Sequence, residues 1–343
     1  MARMFEVSAS PHFRDRTDIS VIMYSVVAAL MPAVFGAVYF FGIRALWIIA
    51  LTVLTCVVTE GLIQKLLGKP VTVKDGSAVV TGILLAFNLP SGISWWIPVL
   101  GGVFAIGVAK MTFGGLGYNP MNPALLGRIF LLVSFPVQMT TTWQAPTGFP
   151  GIDARTAATP LNILKENSSI LHNQNLYSID AVNAAMSKVA DLNTSLMDMF
   201  IGNRSGCIGE TSVLLLLIGA AYLMYKRYIG WKIPFTYIAT VGVLSWIFGG
   251  YNGLFAGPWL IHVFSGGLIL GAFFMATDMV TSPITFQGRI IYGIGCGIIT
   301  VIIRLIGGYP EGVAFSILLM NLTVPLLDRL SKPRVFGKVA SRA

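Results

Sequence analysis

Long apolar runs make up most of this chain, and they leave few folds open to it. A helix that crosses a hydrocarbon core needs about 20 apolar residues, with every backbone polar group inside the core paired internally. Such runs occupy residues 21–43, 45–67, 77–90, 95–113, 123–137, 211–225, 233–248, 254–275, 290–306 and 312–327. The third is short and is broken by Asn88-Leu89-Pro90; the fifth is short and carries Arg128. Charged residues are 11% of the 343, against 55% hydrophobic, and the mean hydropathy is +0.77. A soluble domain carries roughly a quarter charged residues. The prediction is an all-α integral membrane protein with about ten transmembrane helices.

Ten crossings place both termini on one side, and basic residues identify that side as the cytoplasmic one. With the termini inside, 17 of the 23 Lys and Arg fall on the inner face, including Lys110 and Arg128. The other 6 are Arg44, Arg155, Lys165, Lys188, Arg204 and Arg304. Orientation thus accounts for the net charge of +9, and no nucleic-acid partner is implied. Membrane lipid is the expected surround. The mixed-charge start through Asp18 does not read as a cleavable signal peptide, so the first apolar run is expected to act as a signal anchor. Cys56, Cys207 and Cys296 have no metal-ligand spacing.

Three regions follow. Residues 1–137 hold a cytoplasmic segment and five helices. Residues 138–210 form a polar loop on the external side, which in a bacterium is periplasmic. Residues 211–343 hold five more helices and a basic cytoplasmic tail. A faint repeat links the two helical regions. Lys110 leads through Gly114-Gly115 to Tyr118 and Pro120 before the fifth helix, and Arg304 leads through Gly307-Gly308 to Tyr309 and Pro310 before the tenth. Two units of five helices must run in opposite senses, and inverted repeats place their site where the units meet, among short broken helices.

Several polar runs interrupt this plan. Asp75-Gly76-Ser77 opens the third helix as a cap and anion site. The run from Gly114 to Ala124 offers Asn119 and Asn122, amides that both donate and accept, among glycines that let a ligand approach the backbone. In the loop, Asp153, Thr156, Ala157, Ala158 and Thr159 precede Pro160. Thr159 before proline makes a helix cap. Gly202 to Ser212 closes the loop, with Thr211 or Ser212 as a cap and Glu210 suited to the helix dipole. His262 lies in an apolar segment, where it reads as a satisfied contact between helices. Asp278 reads as an inner-interface acid that could contact a cation or a proton.

Taken in order, Ser10-Pro11-His12, Asp75 to Ala78, Lys110 to Ala124, Asp153 to Leu161, Gly202 to Ser212 and Gly307 to Pro325 resemble the D subunit of Rnf ion-translocating electron-transport complexes and the related B subunit of the sodium-pumping NADH:quinone reductase. The resemblance covers essentially the whole chain. Ala158-Thr159-Pro160-Leu161 and the absence of a long N-terminal extension look more like the Rnf subunit, while Ala157 stands where glycine is common. The resemblance implies FMN joined to Thr159 through a phosphoester, with Asp153, Thr156, Ala157 and Ala158 completing the attachment motif. It further implies a noncovalent riboflavin, for which Asn119 and Asn122 are the candidate contacts. A flavin transferase and the other Rnf subunits, which hold the external flavin, the iron–sulfur clusters and the nicotinamide site, are the implied partners. The implied activity is electron relay in a ferredoxin:NAD oxidoreductase coupled to Na⁺ or H⁺ movement, with no catalytic side chain and no metal held here. The inverted five-helix repeat also resembles urea transporters. A solute channel and the quinone-reductase subunit therefore remain the alternatives.

Overall fold

A computed structural model describes residues 18–146, 157–172, 177–210, 212–250 and 253–331. The regular elements among the described residues are helices, joined by turns and loops, with an isolated bridge between Pro90 and Cys207. α1 (Ile19–Phe41) starts on Asp18, whose carboxylate accepts the Ile19 N–H, and turns at Gly42 into α2 (Ile43–Leu66). These two and α14 (Phe286–Leu305) and α15 (Val313–Leu330) are long and apolar enough to cross a membrane. Their outward faces carry Phe35, Trp47, Leu54 and Leu326, all exposed, as a lipid-facing surface requires.

Between these come shorter helices. α3 (Ser77–Phe87) has 11 residues. At 1.5 Å per residue it is about 16 Å long, half of a hydrocarbon core. α4 (Trp96–Ile106) runs on through a π turn at Gly107–Met111. α5 (Pro123–Ser134) and the six-residue α6 (Pro136–Thr141) follow. After the polar segment come α10 (Val213–Tyr225), α11 (Lys232–Phe248), α12 (Trp259–Phe264) and α13 (Leu268–Leu270), which continues as a π turn over Gly271–Met275. The apolar run at 254–275 predicts a single helix. Pro258 and the turn at Ser265-Gly266-Gly267 divide it, with Gly266 and Gly267 both in the left-handed region at φ 72° and 61°.

α1 packs on α10, α2 on α3 and α4, α11 on α12 and α14, and α5 on α15. Small residues bring the backbones together. A Cβ on Gly219 would lie 2.0 Å from the Ala29 carbonyl oxygen, and Gly293 and Gly297 seat α14 on Thr236 and Thr240 of α11. Close contact of this kind replaces the hydrophobic drive that lipid does not supply.

The polar segment folds as well. α7 (Pro160–His172), α8 (Ile179–Thr194) and α9 (Leu196–Ile201) bury Leu164, Leu171, Val189, Leu192 and Met199 against Ile261 of α12. Their apolar positions recur at helical spacing, but the low overall hydropathy makes the segment read as loop.

Candidate functional site

Two half-length helices run between two hollows. α3 begins at Ser77 and ends at Asn88; α13 begins at Gly267 and, through its π turn, ends near Asp278. Ser77, Asn119, Asn122, Thr277 and Asp278 line one hollow, and Thr159, Arg204, Glu210, Gly266 and Glu311 line the other. Each hollow joins the start of one half-helix to the region where the other ends.

At the first hollow, Asp75 Oδ1 accepts the Ser77 N–H at 2.8 Å and its hydroxyl at 2.6 Å, although the N-cap position of α3 itself is Gly76, which has no side chain to cap with. Gly76, at φ 80°, makes the turn that this requires. Lys110 Nζ reaches Glu60 at 2.7 Å and Ser77 Oγ at 2.6 Å, with both charged side chains within 2% of full burial. Lys110, counted from sequence toward the inner face, is thus buried in an ion pair. Asn122 caps α5 by accepting from Ala124 and Leu125 and donates to the Met275 carbonyl. Asn119 donates to Met121, while its buried Oδ1 has no partner. Of the two asparagines, Asn119 is the one with capacity for a ligand. The hollow measures about 110 Å³.

Thr159 in the second hollow is 5% exposed. Its Oγ accepts the Asn162 N–H at 3.3 Å, the cap that the sequence implies, and Pro160 is the first residue of α7. Two tethers fix the approach: the Ala157 N–H donates to the Trp143 carbonyl at 3.1 Å, and Ser205 Oγ donates to the Ala158 carbonyl at 2.6 Å. Asp153 and Thr156 lie outside the described residues, as does Thr211. Ser212 caps α10 by accepting from Leu215.

Beneath Thr159 lies a charge cluster. Arg128 Nη1 donates to Asn88 Oδ1 at 2.6 Å, and Nη2 pairs with Glu311. Arg128 also contacts Cys207, at the end of the polar segment, instead of belonging with the inner-face cations as the charge count assumes. Glu210, Glu311 and Cys207 have ligand atoms within 4.8 Å of one another. Glu210 Oε1 is sealed from solvent without a partner, although the residue as a whole is only partly buried. Burial, and then the Glu311 charge, push the Glu210 carboxyl up to about 8, against the pull of Arg128.

The polar segment also closes the end of α3. Ile208 and Gly209 N–H groups donate to the Leu89 and Phe87 carbonyls at 3.0 and 2.9 Å. A broken helix survives at membrane depth only where protein satisfies its backbone. Gly209 is needed there, since a Cβ would sit 2.3 Å from that of Phe87.

Arg304, counted from sequence as an outer-face charge, is buried and donates to the carbonyls of His262, Ser265 and Gly266. His262 is buried with neither ring nitrogen partnered, contrary to the satisfied contact expected. Sequence reasoning misses the roles of Glu60, Glu311 and Lys165. A lone carboxylate within an apolar run marks Glu60; Glu311 and Lys165 sit among turn and loop residues and give no such mark.

A family model described as "NQR2, RnfD, RnfE family" matches residues 6–337. The D subunit of the Na⁺-translocating ferredoxin:NAD⁺ oxidoreductase complex of Acetobacterium woodii is 49% identical, over 96% of this chain and 95% of its own. The D subunit of the proton-translocating ferredoxin:NAD⁺ oxidoreductase complex of Clostridium ljungdahlii is 46% identical, over 97% and 96%. The D subunit of the ion-translocating oxidoreductase complex of Stutzerimonas stutzeri is 40% identical, over 95% and 94%.

Proposed function

The chain belongs to the NQR2, RnfD, RnfE family, and from that premise we propose that it is the D subunit of an Rnf-type ferredoxin:NAD oxidoreductase. It relays electrons through FMN joined to Thr159 and takes part in Na⁺ or H⁺ translocation. The observation that carries this is Thr159 itself. It sits at the start of α7, held by backbone tethers on both preceding alanines, with Arg204 lining the same hollow. Helix N-terminal amides and a guanidinium suit a phosphoester. The flavin supplies the redox chemistry; the chain's residues anchor it, orient it and set the charge around it.

Asn119 favours a second flavin. Its unpartnered Oδ1 suits a ring N–H, and riboflavin is the proposed ligand, with one edge in the 110 Å³ hollow and Asn122 holding the wall. The proposed architecture is two inverted five-helix repeats in the bacterial inner membrane, with both termini cytoplasmic and 138–210 outside, like urea transporters. Recurrent pairings support it: α2 with α4 and α11 with α14 within units, α1 with α10 and α5 with α15 between them. Expected partners are the other Rnf subunits and a flavin transferase.

The test is complementation. Membranes from a host deleted for the chain should lose NAD reduction driven by reduced ferredoxin. The wild-type chain should restore it and Thr159→Ala should not. Full restoration by Thr159→Ala would remove Thr159 from the relay.

A further inference from the structure

A covalent flavin needs room for its ring, and the hollow at Thr159 has little. It measures about 20 Å³, and a water needs roughly 10–15 Å³ on this measure. A phosphoester could be accommodated with small shifts; a tricyclic ring could not. Leu161, however, borders both this hollow and a cavity of about 310 Å³ under α7. That is about twice the 150 Å³ that holds a benzene.

Leu161, Leu164 and Lys165 reach this cavity from one face of α7, as i, i+3 and i+4 spacing dictates. Lys165 is six residues beyond Thr159, about 9 Å along the helix. The phosphate and ribityl chain of FMN cover a span of that order. Leu161, Leu164 and Phe248 supply apolar wall. The opposite side is polar in an unusual way. His262 is 3% exposed, and both its ring nitrogens are without partners. Arg304 Nε is likewise buried and unpartnered, its other nitrogens being spent on backbone carbonyls. Lys165 Nζ meets only the Gly307 and Tyr309 carbonyls. Among the described residues neither cation makes an ion pair. Buried groups left like His262 and Arg304 Nε are costly, and an acceptor-rich ligand that carries or gains negative charge would relieve them and meet the partly exposed Lys165 at the rim.

We propose that this cavity receives the isoalloxazine ring of the flavin tethered at Thr159, with the ring's N1–C2 carbonyl edge against His262, Arg304 and Lys165. The inference rests on the covalent attachment proposed above. Reduction adds negative charge to that edge, so the cavity favours the reduced ring and raises its potential.

The full chain, made in a host with the flavin transferase, is compared as wild type, His262→Leu and Lys165→Met. Arg304 is left in place because it holds three carbonyls. His262→Leu removes two unpartnered nitrogens and should not harm folding; Lys165→Met gives up contacts to two carbonyls at the rim and is read beside it. Each sample is read twice: by flavin fluorescence of the band in a denaturing gel, and by the two-electron midpoint potential of the native protein. The expected result is an intact band throughout and a tenfold loss of preference for the reduced ring in each variant, a fall of about 30 mV. Intact bands with unchanged potentials would overturn the cavity assignment while leaving the attachment standing. A wild type without a band would overturn the attachment and this inference together.

Discussion

Lys110 and Arg304 stand at matching places and meet different surroundings. Each is a buried cation from the C-terminal part of a helix, set against the start of a half-length helix, α3 for Lys110 and α13 for Arg304. Lys110 has a carboxylate, Glu60, and its charge is closed off inside the chain. Arg304 has only carbonyls, and beside it lies an unpartnered histidine facing a cavity. The first arrangement completes the fold. The second asks for something from outside the chain. The same local architecture therefore leaves one cation neutralised within the chain and the other without a counter-charge.

The largest effect expected from this contrast is at Lys110. Lys110→Met leaves Glu60 buried and unpaired, and should cost about 3–5 kcal/mol in thermal unfolding of the purified protein in detergent. Combining it with Glu60→Gln should recover most of that loss. Equal losses in the single and the double variant would show that the pair is not what stabilises this end.

Gly209→Ala comes next, since its Cβ would press on Phe87 where the polar segment closes α3. Overpacking of this kind costs about 1–3 kcal/mol, and amide exchange should rise at Ile208 and Gly209 before the rest. Protection that stays unchanged would detach the polar segment from the end of α3.

The two asparagines separate cap from contact. Asn122→Ala should lose about 1 kcal/mol of stability as a broken N-cap. Asn119→Ala should change melting less but lower the noncovalent flavin retained on purification. If Asn122→Ala alone lowers flavin content, the assignment is reversed.

Glu210 gives a pH dependence with a definite sign. Its folded value, about 8, lies above the ordinary 4.5 for a free carboxyl. The stability this contributes is full below 4.5 and is lost as pH rises through about 8. The melting temperature of wild type should fall over that window, and Glu210→Gln should flatten the slope. The infrared band of a protonated carboxyl, present at neutral pH, should vanish in the variant.

The helices are legible because hydropathy over about 20 residues is a strong signal. The half-length α3 is legible too, through Asn88-Leu89-Pro90 at its end and Asp75 just ahead of its start. The break at Ser265-Gly266-Gly267 escapes because Leu, Ile and Phe on both sides keep the average apolar, though paired glycines are its mark. α8 and α9 escape because their polar faces dilute an apolar stripe that is visible only at helical spacing. Thr159 as a cap is readable from Thr-Pro alone. The cluster of Arg128, Glu210 and Glu311 is not, since its members come from three distant stretches and only the tertiary fold joins them. His262 is misjudged for the same reason: a sequence shows a histidine in an apolar run but not whether anything faces it.

The most direct test of the account is ultraviolet fluorescence of the chain in a denaturing gel, made with the flavin transferase, beside Thr159→Ala. A fluorescent wild-type band that disappears in Thr159→Ala is the predicted result. A band that persists unchanged in Thr159→Ala would place the flavin elsewhere and contradict the anchor on which both the relay and the ring cavity depend.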